Sequence, residues 1–110
     1  MNIQSTSPSI ESMRAAAGKA TALLFTLANE NRLLLLCQLS QGEKSVGELE
    51  ELLDIHQPTL SQQLCVLRNE GLVNTRRDGK RIYYSVSDEK VLALLNTMYE
   101  LFCPKECTKQ

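Results

Sequence analysis

The chain has 110 residues, of which 43% are hydrophobic and 23% charged, with no Trp. That suffices for one domain around a single aliphatic core, is far short of a (β/α)₈ barrel of about 250 residues, and is too apolar for a disordered chain. Twelve Lys and Arg against thirteen Asp and Glu leave a net charge of −1. The distribution of charge, rather than its sum, must therefore argue for or against nucleic acid.

Residues 1–9 are polar, with Ser5, Ser7, Pro8 and Ser9, and read as a disordered tail. The Ala-rich stretch 10–28 predicts a helix, and a second follows from Glu30 to Leu39 around the block LLLLC. Residues 40–44 read as a loop. Ser45 with Glu48 three positions on is a capping box, and Val46, Leu49, Leu52 and Leu53 give the helix it opens an apolar stripe. That helix ends near 54–56. Pro58 suits the first turn of the next helix, which runs to Glu70 before Gly71. Val73 and Thr75, then Ile82, Tyr83, Tyr84 and Val86, are strand formers. Asp78-Gly79 between them predicts a type I′ hairpin turn. Asp88 or Ser87 caps a last helix with Val91, Leu94, Leu95, Met98, Leu101 and Phe102 on its apolar face, ended by Pro104. The expected domain is 10–104, with 105–110 as a C-terminal tail. Mostly α with a β-hairpin after the fourth helix, the order is that of a winged helix-turn-helix.

A helical wheel over 57–70 puts Leu60, Leu64 and Leu67 on the core side. Pro58, Thr59, Gln62, Cys65, Val66 and Asn69 fall opposite, flanked by Ser61 and Gln63. Gln pairs bidentately with adenine, and Ser or Thr reach base edges or phosphates. Only the first turns of a recognition helix reach bases, so Gln57, Thr59, Ser61 and Gln62 are the candidate readers. Arg68, Arg76, Arg77, Lys80 and Arg81 outnumber Glu70 and Asp78 in 68–81, whereas 43–54 holds five acids and one Lys. A basic hairpin directly after a Gln-rich helix is a DNA-binding wing; Arg77, Lys80 and Arg81 on it, with Arg68 near the end of the preceding helix, are the candidate phosphate contacts.

Cys37, Cys65, Cys103 and Cys107 are not spaced as a structural zinc site. No secretory leader is legible and the longest apolar run, Leu33 to Cys37, is too short for a membrane span. The expectation is a cytoplasmic protein with reduced or redox-active thiols and no membrane partner. Read as residues alone, Cys37 after LLLL is a small core hydrophobe and Cys65 a tolerated surface thiol. Oxidation of Cys65 would nonetheless block a DNA-facing helix.

The phrases LANENRLLLLCQLS, SVGELEELLDIHQPTLSQQLCVLRNEGLV and TRRDGKRIYYSVSDEKVLALL resemble the arsenic-repressor (ArsR/SmtB) family of bacterial repressors over about residues 20–104. The resemblance implies a homodimer built from the first and last helices. It implies an inverted-repeat double-stranded operator released when an inducer binds. Metal-sensing members carry a Cys-Val-Cys-like phrase where this chain has Ser45-Val46-Gly47, or His and acids on the last helix, which here has no His. The one His, His56, lies in a turn. No metal and no cofactor are therefore expected.

Cys37 and Cys103 instead match the sulfide-responsive branch of the family. That branch implies a persulfide or polysulfide inducer, a disulfide or polysulfide bridge between Cys37 and Cys103 within a subunit, and derepression of sulfide-detoxification genes. Cys107, four residues after Cys103, is a possible accessory thiol. A three-thiolate site of Cys37, Cys103 and Cys107 for As(III) or Cd(II), or a general thiol-redox response, remains as an alternative. A thiol oxidoreductase is disfavoured, because the chain has no C-x-x-C, no βαβ pattern and no Gly-rich cofactor loop.

Overall fold

The computed structural model describes residues 9–103. The elements in chain order are α1 (Ile10–Leu27), α2 (Glu30–Leu39), β1 (Lys44–Ser45), α3 (Val46–Leu53), α4 (Thr59–Asn69), β2 (Val73–Asp78), β3 (Arg81–Val86) and α5 (Glu89–Phe102). This is the expected winged helix-turn-helix with one strand added. The expected tail 105–110, with Pro104 and Cys107, lies outside the described residues, as do 1–8 of the N-terminal tail. Ser9, placed in that tail by its composition, is instead the N-cap of α1. Its hydroxyl accepts the Ser12 N–H at 3.1 Å.

Every helix start except that of α4 carries a side-chain cap. Asn29 caps α2 through the Arg32 N–H at 3.0 Å. Ser45 and Glu48 form the reciprocal capping box of α3: Ser45 N–H to Glu48 Oε1 at 2.8 Å, and Glu48 N–H to Ser45 Oγ at 3.2 Å. Asp88, rather than Ser87, caps α5, accepting the Lys90 N–H at 2.8 Å. Each such cap stabilises its helix by about 1 kcal/mol. Asp54 ends α3 in the left-handed region at φ 56°, which a short polar side chain tolerates.

The core is mostly Leu. Leu35, Leu36 and Leu39 of α2, Leu49 of α3, and Leu60, Leu64 and Leu67 of α4 are all buried and join Val91 and Leu95 of α5. Replacing any of these Leu by Ala costs about 2–5 kcal/mol. The wheel for α4 thus places its core side correctly. Its outer side is narrower than expected, since Thr59 and Val66 are half-buried. In α3 the stripe is Val46, Leu49 and Leu53; Leu52 falls off it and is exposed.

The sheet has the order β1-β3-β2, all antiparallel. The segment 40–44 is therefore not all loop. Lys44 pairs with Tyr84 and Ser45 with Tyr83, tying the start of α3 to the wing. The hairpin turn also differs from expectation. Asp78 pairs with Arg81, so the two-residue loop is Gly79-Lys80 rather than Asp78-Gly79. Among the described residues Asp54 is the one non-glycine with positive φ, and Gly79 has φ 66°. Positive φ at the first loop position alone is the type II′ pattern, with Gly in its usual place.

α1 is exposed along most of its length, and the radius of gyration is 16.2 Å. A compact chain of about 100 residues would have about 13 Å. Ile10, Met13, Leu24 and Phe25 on α1, and Leu101 and Phe102 at the end of α5, are large exposed hydrophobics.

Candidate nucleic-acid interface and thiol pair

α4 is held by its buried Leu face, so its other residues are fixed in place as an outer surface. Gln62 is exposed there, and Thr59 stands half-buried in the first turn. Pro58 is the N-cap and offers no side-chain acceptor. Gln57 takes over that role: its Oε1 accepts the Ser61 N–H at 3.1 Å and the Ser61 hydroxyl at 2.6 Å. Two of the four candidate base readers are thus paired with each other. Thr59 and Gln62 make no side-chain bond of this kind, leaving exposed Gln62 the most open candidate reader.

The wing presents Arg77, Lys80 and Arg81 exposed, with Lys80 in the turn itself. Arg68 is exposed in the last turn of α4. Arg76 behaves differently. Its Nε and Nη2 reach Glu43 Oε2 and Oε1 at 2.9 and 2.7 Å, and its guanidinium lies 4.7 Å from the centre of the Tyr83 ring. This bidentate pair holds the Glu43 carboxyl below the usual range. Arg76 braces the wing from behind, while its neighbour Arg77 stays exposed.

The acids of α3 stand beside the wing. Ser45, Glu48, Glu51, Lys80 and Arg81 line a cleft of about 540 Å³. Glu48 is held below its ordinary value, chiefly by the Ser45 N–H and with help from Lys44 and Arg81. His56 lies in the turn between α3 and α4, as expected. Its Nε2 is 2.7 Å from Asp54 Oδ1 and its Nδ1 3.4 Å from Glu50 Oε2. These carboxylates, Glu50 first and Asp54 second, raise its pKa above the ordinary 6.5. Among the described residues no three His, Cys, Asp or Glu side chains group as a metal site.

Cys37 is half-buried against the core on α2, and Cys103 is half-buried at the C-cap of α5. Both are free thiols. Burial pushes the Cys37 thiol above its ordinary 9.0, and the neighbouring Cys103 pushes it further the same way. Two elements far apart in sequence thus bring these two sulfurs into electrostatic range. Cys65 is exposed on α4, where the Asn69 amide donates to its Sγ at 3.6 Å.

Sequence reasoning passed over Arg32. Its Nε donates to the Thr26 carbonyl at 2.6 Å and its Nη1 to Gln63 Oε1 at 2.9 Å, joining α1, α2 and α4. Nothing in the local pattern marks it, because both partners are supplied by tertiary packing.

A helix-turn-helix with an outward polar second helix and a basic hairpin beside it defines a winged-helix DNA-binding regulator. Residues 29–75 match the family described as bacterial regulatory protein, arsR family. The chain is 50% identical over 97 residues to the biofilm growth-associated repressor of Agrobacterium fabrum, covering 88% of this chain and 83% of that protein. The transcriptional repressor BigR from Xylella fastidiosa superposes with a TM-score of 0.81 at 47% identity, over 88% of this chain and 99% of that one. Reduced HlyU from Vibrio cholerae gives 0.82 at 41% identity, over 86% and 100%. The chain belongs to the arsR family of bacterial regulatory proteins. It is a DNA-binding transcriptional regulator and not an enzyme. No helix among the described residues is long and apolar enough to cross a membrane.

Proposed function

We propose that the chain is a homodimeric cytoplasmic repressor that binds an inverted-repeat operator and releases it when reactive sulfur species join Cys37 to Cys103. The observation that carries this reading is that two half-buried free thiols, Cys37 on α2 and Cys103 at the C-cap of α5, stand close enough for Cys103 to add to the rise in the Cys37 pKa. The similarity to a repressor and to a protein solved as its reduced form supports it. The dimer is supported by the exposed apolar residues of α1 and of the end of α5: Phe25, Leu101 and Phe102 are 77%, 70% and 81% exposed. Each half of such a dimer offers one α4 to a half-site, and half-sites lie about one DNA turn apart.

The chemistry balances with a persulfide RSSH as oxidant. The Cys37 thiolate attacks the outer sulfur, forming Cys37–SSH and expelling RS⁻, which takes up a proton as RSH. Cys103 then attacks the Cys37 sulfur, the S–S bond of the persulfide breaks, and H₂S leaves behind a disulfide. If a second RSSH first places a sulfur on Cys103, loss of H₂S leaves a trisulfide. Longer bridges suit thiols farther apart than the Cα separation of about 7 Å that limits a direct disulfide. Linking α2 to α5 displaces the helices on which α4 rests, and a shift of that kind moves a two-state equilibrium.

Intact mass of the reduced protein after exposure to an organic persulfide, peroxide or As(III) tests this, followed by peptide mapping. The expected result is a Cys37–Cys103 linkage, with added sulfur under persulfide, on a native species of twice the 12.3 kDa chain. The same plain disulfide under both oxidants would make it a general thiol-redox regulator. A retained arsenic atom would overturn the sulfur reading in favour of metalloid sensing.

A further inference from the structure

We propose that Arg32 is a positioning residue: it fixes the angle of the DNA-reading helix α4 and transmits to it any displacement of α2. α1 has no basic residue in its last turn. Of its last four carbonyls, those of Leu24 and Phe25 accept the Ala28 N–H and that of Leu27 accepts the Asn29 N–H. The Thr26 carbonyl is taken by Arg32 Nε at 2.6 Å. A cation from the following helix thus closes the negative end of α1. The other arm of the same guanidinium leaves α1 and reaches Gln63 on α4 at 2.9 Å.

Gln63 is half-buried and adjoins Gln62, the open reader, about 100° further round α4. The buried Leu face holds one side of α4 against the core. A hydrogen bond to a charged, planar donor at the flank fixes the helix at a second point. Arg32 itself is anchored, since its own N–H is the capping bond to Asn29 Oδ1 at 3.0 Å. Cys37 lies five residues further along the same helix, about 7.5 Å of axial rise. A pull at Cys37 therefore moves Arg32 as part of one rod, and Gln63 with it.

The positioning role stands on the geometry alone. The transmission role rests on the thiol-sensing reading, and the experiment separates them. A duplex selected by the protein from a random-sequence pool serves as operator, with a scrambled duplex as control. Affinities for both are measured for wild type, Gln63→Ala, Arg32→Lys and Gln63→Glu, reduced and after persulfide, with intact mass recording the bridge. Gln63→Ala leaves Arg32 on the Thr26 carbonyl, so α1 stays capped and helicity is retained. The expected result is about a tenfold fall in operator-to-control discrimination for Gln63→Ala and Arg32→Lys. In both, the ratio of reduced to bridged affinity is compressed while the bridge still forms. Gln63→Glu keeps the acceptor and holds wild-type ratios, because its added charge weakens binding to both duplexes alike. Unchanged discrimination in Gln63→Ala would overturn the positioning role. A compressed discrimination with an unchanged reduced-to-bridged ratio would overturn transmission. Absence of the bridge in wild type would overturn the thiol reading and leave the positioning role to the discrimination arm.

Discussion

Cys37 is a thiol whose setting works against its charge. Burial first and Cys103 second raise its pKa, so at neutral pH its thiolate fraction is smaller than that of an ordinary thiol. Since the thiolate is the nucleophile, reaction at Cys37 is slow and climbs with pH through and beyond 9.0. Iodoacetamide at pH 7.5, read by peptide mapping, should label exposed Cys65 well before Cys37. Cys103→Ser removes the smaller of the two causes and should shift the rise in Cys37 labelling to lower pH. Equal labelling of Cys37 and Cys65, or no effect of Cys103→Ser, would contradict this account of the site. The position of Cys37 behind four Leu was legible as a core-packed thiol, whereas its partnership with Cys103 was legible only through the family resemblance. The two thiols sit on elements far apart in the chain, α2 and the C-cap of α5, and no local pattern relates them.

We propose that the recognition helix and the wing divide the work of DNA binding. Gln62 stands exposed on the outer side of α4, whereas Arg77 stands on the wing beside Arg76, which is engaged by Glu43. Gln62→Ala should cost about tenfold in operator-to-random discrimination. Arg77→Ala should weaken binding to all duplexes and lower the salt slope by about one. Anisotropy titrations at several salt concentrations distinguish the two, and equal loss on operator and random DNA for Gln62→Ala would refute base reading there. The exposure of Gln62 on the outer side of α4 and of the basic wing residues could be read from the helical wheel and from the clustering of basic residues. Other details could not. β1 has two residues, too few for any alternation, and exists because Tyr83 and Tyr84 offer it a partner. The turn moved by one residue because the Arg76–Tyr83 and Arg77–Ile82 pairs set the strand register. Gln57 reads as a base contact from sequence, yet Pro58 deprives α4 of a capping side chain and Gln57 supplies one.

At the scale of the whole molecule, a small Leu core holds α2, α3, α4 and the wing as one body, while α1 and the end of α5 keep large apolar side chains exposed. A chain of this size gains from burying such surface against a second copy. The two proposed thiols lie on α2, within that body, and at the tip of α5, beside the exposed apolar end. A bridge between them would therefore pull on the joint between that body and the helices proposed to form the dimer. The most direct test is operator affinity of wild type and Cys37→Ser, each measured reduced and after persulfide treatment. The account predicts that both bind when reduced and that only wild type releases the operator on treatment. Release by Cys37→Ser to the same extent, or no release by wild type, would contradict it.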